Sequence, residues 1–124
     1  ARAGHELPLI IRAGTGESKP KAEYLESEGL ALGMVPDELF EEVIVNCVTP
    51  FDPGDFLVLF TDGITEAADL DDEQFSTDRL ASFAKKSFGK SPKQFNEELL
   101  KELHDFAGDA LREDDLTLIT ARRK

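Results

Sequence analysis

The run Phe56-Leu57-Val58-Leu59-Phe60 is unbroken apolar and passes directly into Thr61-Asp62-Gly63. A short continuous apolar run closed by turn signals fits a strand covered on both faces. On the upstream side Pro53-Gly54 suits the centre of a type II turn, where glycine takes the positive φ. Such a strand needs partners at its edges and layers above and below it, and the remaining segments have to supply them.

Leu7-Pro8-Leu9-Ile10-Ile11-Arg12 is a second β-prone run, closed by Ala13-Gly14-Thr15-Gly16-Glu17-Ser18. The Gly-x-Gly here does not open a helix, so it reads as a hairpin turn and not a nucleotide loop. Residues 22–26 then form the returning strand, with Tyr24 as its aromatic residue. A glycine-bounded apolar piece at 29–34 is followed by the breaker Val35-Pro36-Asp37. Alternation over 42–49 predicts a further strand, with Cys47 packed in the core.

Beyond Gly63 the period becomes helical. Glu66-Ala67 is expected to open a short helical piece. Thr77 can cap a helix over 78–87, with Leu80, Phe83 and Ala84 on one side and Gly89 as its stop. Ser91-Pro92 is a strong start signal, followed by an apolar face of Phe95, Leu99, Leu103 and Phe106 up to Gly108. A last strand is expected over 116–120, preceded by the acidic corner Arg112-Glu113-Asp114-Asp115. Strands, two helices and a strand without β-α-β alternation favour a layered α+β fold.

Composition narrows the function classes. With 26 acidic against 14 basic residues the formal net charge is −12, which argues against binding nucleic acid or anionic lipid. The same excess points weakly towards divalent cations, although a solvated acidic surface explains it as well. A single cysteine rules out an internal disulfide and a cysteine-rich zinc site. No stretch approaches the roughly 18 apolar residues of a membrane span. No signal peptide is seen and the first residue is Ala1, so the chain is expected to start inside a longer, cytoplasmic protein.

Two acidic corners adjoin buried-looking strands: Asp62-Gly63 after 56–60, and Asp114-Asp115 before 116–120. If these strands are antiparallel neighbours, Asp62 and Asp114 share one rim. Paired carboxylates repel unless a cation neutralises them, and an all-oxygen site suits Mg²⁺ or Mn²⁺. On spacing alone, an ordinary Asp-Gly turn and a solvated corner are the favoured reading, and the spacing suggests a metal site without establishing one. Asp69-Leu70-Asp71-Asp72-Glu73 opens like a calcium loop but lacks the glycine and the closing glutamate, and is rejected. His5 reads as a histidine bonded to backbone, His104 as boundary surface, and neither sits in a nucleophile-like grouping.

Several segments, taken together and in order, resemble one family. Ala3-Gly4-His5-Glu6-Leu7-Pro8-Leu9 resembles the "AGHxPPL" segment of PPM-type serine phosphatases of the bacterial SpoIIE/RsbU group. Leu30-Ala31-Leu32-Gly33 is similar to "PLG", with Ala31 where proline is usual. Pro53 to Ala67 is similar to "GDxLLLYTDGVTEA" almost throughout. Phe75 and Arg79-Leu80 fit "FGxERL", with Ser76 in place of the glycine, and Asp114 to Leu118 fits "DDITLL".

The resemblance implies a portion of an αββα sandwich, two antiparallel sheets flanked by helices, with a two-metal Mg²⁺ or Mn²⁺ site at one edge. It implies Asp62 and Asp114 as metal ligands and catalytic groups, with Gly63 and Asp115 supporting them. The implied reaction is hydrolysis of phosphoserine or phosphothreonine by metal-activated water, on a phosphorylated protein such as an anti-sigma factor antagonist. The family's early "GD…D" and "GHG"-like segments have no counterpart here. Residues 1–124 are therefore expected to be the C-terminal part of one phosphatase domain, inactive alone, with an upstream sensor or regulatory domain in the parent. Self-pairing into a homodimer is a further expectation, and a non-catalytic partner-binding module on the same scaffold is the alternative.

Overall fold

The computed structural model describes residues 1–14, 19–108, 111 and 116–124. Strands β1 (Leu9–Arg12) and β2 (Lys21–Tyr24) form the expected antiparallel pair, with Leu9 opposite Tyr24. Strand β3 (Phe56–Phe60) lies against the other edge of β1, and β4 (Leu118–Arg122) against the far edge of β3. Among the described residues this gives one four-stranded sheet in the order β2-β1-β3-β4, antiparallel throughout. The fold is α+β, as the element order predicts.

The strand period of two decides which side is core. Leu9, Ile11, Phe56, Val58 and Phe60 share one face and are buried against helices α3 (Ser76–Lys86) and α4 (Pro92–Ala107). Leu80 and Ala84 of α3, and Phe95, Leu99 and Leu103 of α4, complete this layer. Each large side chain so buried contributes about 1.5–3 kcal/mol. Phe95 is the hub, its ring centroid 4.9 Å from Phe56 and 5.3 Å from Phe83. At the rim the Arg122 guanidinium lies over Phe56 and Phe88, which closes the layer where β4 ends.

Helix α4 starts as the sequence predicts. The Ser91 hydroxyl accepts from the Gln94 amide while the Gln94 side chain accepts from the Ser91 amide, a complete capping box ahead of Pro92. The turn before β3 is also as expected. Gly54 has φ +93° and the Asp55 amide donates to the Asp52 carbonyl at 2.9 Å.

Four local readings are corrected. Residues 42–49 do not form a strand: α1 (Asp37–Val43) takes up the start of that span, and among the described residues 44–49 has no strand neighbour. The Val45 amide donates to the Glu28 carbonyl, and the Thr49 hydroxyl accepts from Arg12. Cys47 is consequently exposed and not in the core. Helix α3 begins at Ser76 without a side-chain cap, so Thr77 lies inside it. The short helical piece expected at Glu66-Ala67 comes earlier, as α2 (Asp62–Thr65). Finally, β3 is not covered equally on both faces: Leu57 and Leu59 are half-buried, and Ile119 beside Leu59 is 58% exposed.

Ser76 adopts φ +68°, the left-handed region that favours glycine. The helix start has no side-chain cap bond to offset the strain, its N-cap being Phe75. Ser76→Gly is expected to stabilise the fold by about 1 kcal/mol. Urea unfolding of the two proteins measures this, and a less stable glycine variant contradicts it.

Candidate functional site

The candidate rim is the C-terminal end of β3. Its ladder to β4 runs from the Phe56–Arg122 pair to the Phe60–Leu118 pair. One further rung follows: the Thr61 amide donates to the Thr117 carbonyl at 3.1 Å, and the Thr117 amide donates to Thr61 Oγ1 at 2.9 Å. The expectation that the end of one strand lies beside the beginning of the other is therefore met.

Asp62 is the first residue of α2 and is exposed. The one-turn helix beneath it is anchored by Ile64, fully buried, and by Thr65 and Ala67. The Asp62 carbonyl accepts from the Glu66 amide at 2.8 Å and from the Thr65 hydroxyl at 3.2 Å. This backbone is held from below while the carboxylate faces outwards at the rim. Gly63 lies inside α2 and is not one of the glycines with positive φ. The chain leaves the strand in helical conformation, not through a left-handed turn.

Asp114 and Asp115 lie outside the described residues. Thr117, three residues beyond Asp114 in sequence, is bonded to Thr61, the neighbour of Asp62. Among the described residues no group of three or more His, Cys, Asp or Glu side chains converges as a metal site. Asp62 is an exposed hard oxygen donor of the kind Mg²⁺ and Mn²⁺ accept, so it fits as one ligand of a shell completed by others.

The other candidates have structural explanations. His5 is exposed, with Nδ1 3.2 Å from the Glu6 carbonyl, and His104 lies on the exposed side of α4. In the acidic run, Asp69 Oδ1 accepts from the amides of Asp71 and Glu73, so this carboxylate closes a turn.

The opposite end of β3 holds a network that sequence reasoning passed over. Asp55 is 3% exposed. Its carboxylate accepts from the Ala13 amide at 2.9 Å, the Asp52 amide at 3.0 Å and Arg12 Nη1 at 3.0 Å. Arg12 in turn donates to Glu23, to the Thr49 hydroxyl and to the Pro50 carbonyl. The signal was present in the sequence: a lone Arg ends β1, and an Asp follows Pro-Gly just before an apolar strand.

With this geometry established, comparison with known proteins is informative. Residues 1–124 match the family described as Stage II sporulation protein E (SpoIIE). The chain belongs to the SpoIIE family. It is 29% identical over 121 residues to Protein IcfG of Synechocystis sp., covering 98% of this chain and 18% of that protein. Among solved structures it is similar to the SiaA-PP2C domain of Pseudomonas aeruginosa, with a TM-score of 0.70 at 20% identity. It is also similar to the Mn-presoaked phosphatase domain of the cell fate determinant SpoIIE from Bacillus subtilis, with a TM-score of 0.67 at 18% identity. Each match covers 98% of this chain, but the chain spans 45% of the first solved structure and 48% of the second. Among the described residues no helix is long and apolar enough to cross a membrane.

Burial pushes the Asp55 carboxyl up, but bonds from Ala13, Asp52 and Arg12 outweigh it and hold it below the ordinary carboxylate range. A depressed folded pKa contributes stability that is present above the unfolded value, about 3.9, and is lost as pH falls through the folded value. Asp55→Ala is expected to lose roughly 2–4 kcal/mol at neutral pH. Denaturant unfolding from pH 7 down to pH 2 checks it: the parent should lose stability below about pH 4 more steeply than the variant.

Proposed function

We propose that this chain is the C-terminal part of a metal-dependent phosphoserine/phosphothreonine protein phosphatase domain, with Asp62 and Asp114 as metal ligands. The observation that carries the reading is the rung between Thr61 and Thr117. It brings the strand end bearing Asp62 beside the segment that follows Asp114, in a chain of the SpoIIE family.

Mg²⁺ or Mn²⁺, when bound, supplies an acidified water and neutralises charge on the phosphoryl group. The chain's own part is to present carboxylate oxygen at a rim whose backbone is held by hydrogen bonds and a buried side chain. Ile64, locked in the core, and the doubly bonded Asp62 carbonyl serve that end. Gly63 and Asp115 support the two ligands. The substrate class is a phosphorylated protein in bacterial signalling, and an anti-sigma factor antagonist is the specific candidate.

The far face of the sheet supports the reading of this chain as one part of a larger domain. Leu57 and Leu59 are only half-buried on it and Ile119 is exposed. A cavity of about 350 Å³ opens there between Pro8, Leu25, Leu59 and Ile119. In a sandwich of two sheets this is the surface on which the second sheet packs, and residues outside this chain would supply it.

Manganese-dependent hydrolysis of p-nitrophenyl phosphate tests the reading, by this chain and by one extended upstream through the rest of the domain. Activity in the extended chain alone is expected. There Asp62→Asn should cut turnover by orders of magnitude and leave the metal-free melting temperature unchanged or raised, since it removes a charge from a crowded rim. Silence from both chains would favour a partner-binding module on the same scaffold, and full turnover by Asp62→Asn would remove Asp62 from the site.

A further inference from the structure

At the last rung beside Asp62 a side chain stands in for backbone. In a regular antiparallel pair two residues exchange both amide-to-carbonyl bonds. Thr61 gives its amide to the Thr117 carbonyl, but its own carbonyl has turned to accept from the Ile64 amide at 3.1 Å, the first turn of α2. The Thr117 amide is left to Thr61 Oγ1. The hydroxyl thus lets the chain be strand at Thr61 and helix at Asp62 without giving up the bond to the neighbouring strand.

We propose that Thr61 is a positioning residue for the phosphatase metal site, its hydroxyl fixing Asp62 relative to the segment that leads into β4. The role rests on the phosphatase reading above. An ion shared between carboxylates from two strands tolerates little drift between those strands, and groups that orient ligands typically set metal affinity by 10–100-fold. Thr117 is exposed, so water can satisfy its amide when the hydroxyl is removed. The fold therefore survives the loss of the bond, and the fixed geometry does not.

The test uses the complete phosphatase domain with Thr61→Val, which keeps the shape and removes the acceptor, and Thr61→Ser, which keeps the acceptor. Mn²⁺ binding is measured by calorimetry, with p-nitrophenyl phosphate turnover and melting temperature with and without Mn²⁺ alongside. Thr61→Val should weaken Mn²⁺ binding by about 10-fold or more and shrink the Mn²⁺-induced rise in melting temperature, while Thr61→Ser stays within about twofold of the parent. If Thr61→Val does not fold, Thr61→Ala is held to the same expectation. Parental Mn²⁺ affinity in the valine variant overturns the role, as does equal damage from serine and valine. Asp62→Asn separates the two readings: if it abolishes Mn²⁺ binding while Thr61→Val does not weaken it, the positioning role alone fails. If Asp62→Asn binds Mn²⁺ like the parent, the phosphatase site itself is wrong.

Discussion

Strand β3 is fastened at both ends by side chains that do the work of backbone, and the rest of the structure depends on that. At its start the Asp55 carboxylate collects two amides and the Arg12 guanidinium, while the Asp55 carbonyl accepts from the Arg123 amide. At its end Thr61 joins Thr117 through amide and hydroxyl. Between these fastenings a slip of one residue would turn Phe56, Val58 and Phe60 out of the core and Leu57 and Leu59 into it. The helices would then lose the aromatic surface on which Phe95 and Leu99 pack. Register, core and the location of Asp62 are one constraint seen from three sides.

Features legible in the sequence were those in which local chemistry and tertiary packing agree. The Ser91-Pro92 start, the Pro53-Gly54 turn, the β1–β2 pair and the apolar run of β3 each carry their signal within a few residues, and each formed. Segment 42–49 shows the opposite case. Its alternation is a strand pattern, but a strand is made by a neighbour's hydrogen bonds, and among the described residues no strand lies beside it. Of the apolar residues that gave the pattern, Val43 is half-buried but Val45 is 46% exposed and Cys47 is exposed, so the segment has no buried face. Helix α3 failed differently. Thr77 is a good cap by residue type, but the turn closed by Asp69 and the bond from the Phe75 amide to the Ala67 carbonyl bring the chain in one residue earlier.

For the candidate site, the sequence pattern pointed to Asp62 and to a neighbouring antiparallel strand, which is present, but missed the means by which the two segments are joined. Thr61 read as the first residue of the turn that closes the strand, and its importance comes from a bond to a residue 56 positions away. Asp55 was likewise hidden in a turn motif whose local explanation was already sufficient. Such residues are hard to find by pattern because each satisfies its local role and its long-range role with the same atoms. Ser76 is the converse: a departure from the resembled motif visible in sequence, whose meaning required the φ of +68°.

The two faces of the sheet explain why a chain can be well packed on one side and open on the other. The helical face has a closed core of its own, from Leu9 to Leu103, and that core is enough to set the sheet and hold β3. On the far face Ile10 is buried, but Leu59 and Ile119 line an open cavity, and among the described residues no helix packs over them. Asp62 sits at the edge where these faces meet, its backbone belonging to the finished side through Ile64. On the phosphatase reading proposed above, a ligand shell at such an edge would draw donors from both layers, and the backbone bonds and buried Ile64 would hold the Asp62 carboxylate at a rim already in place when the remaining donors arrive.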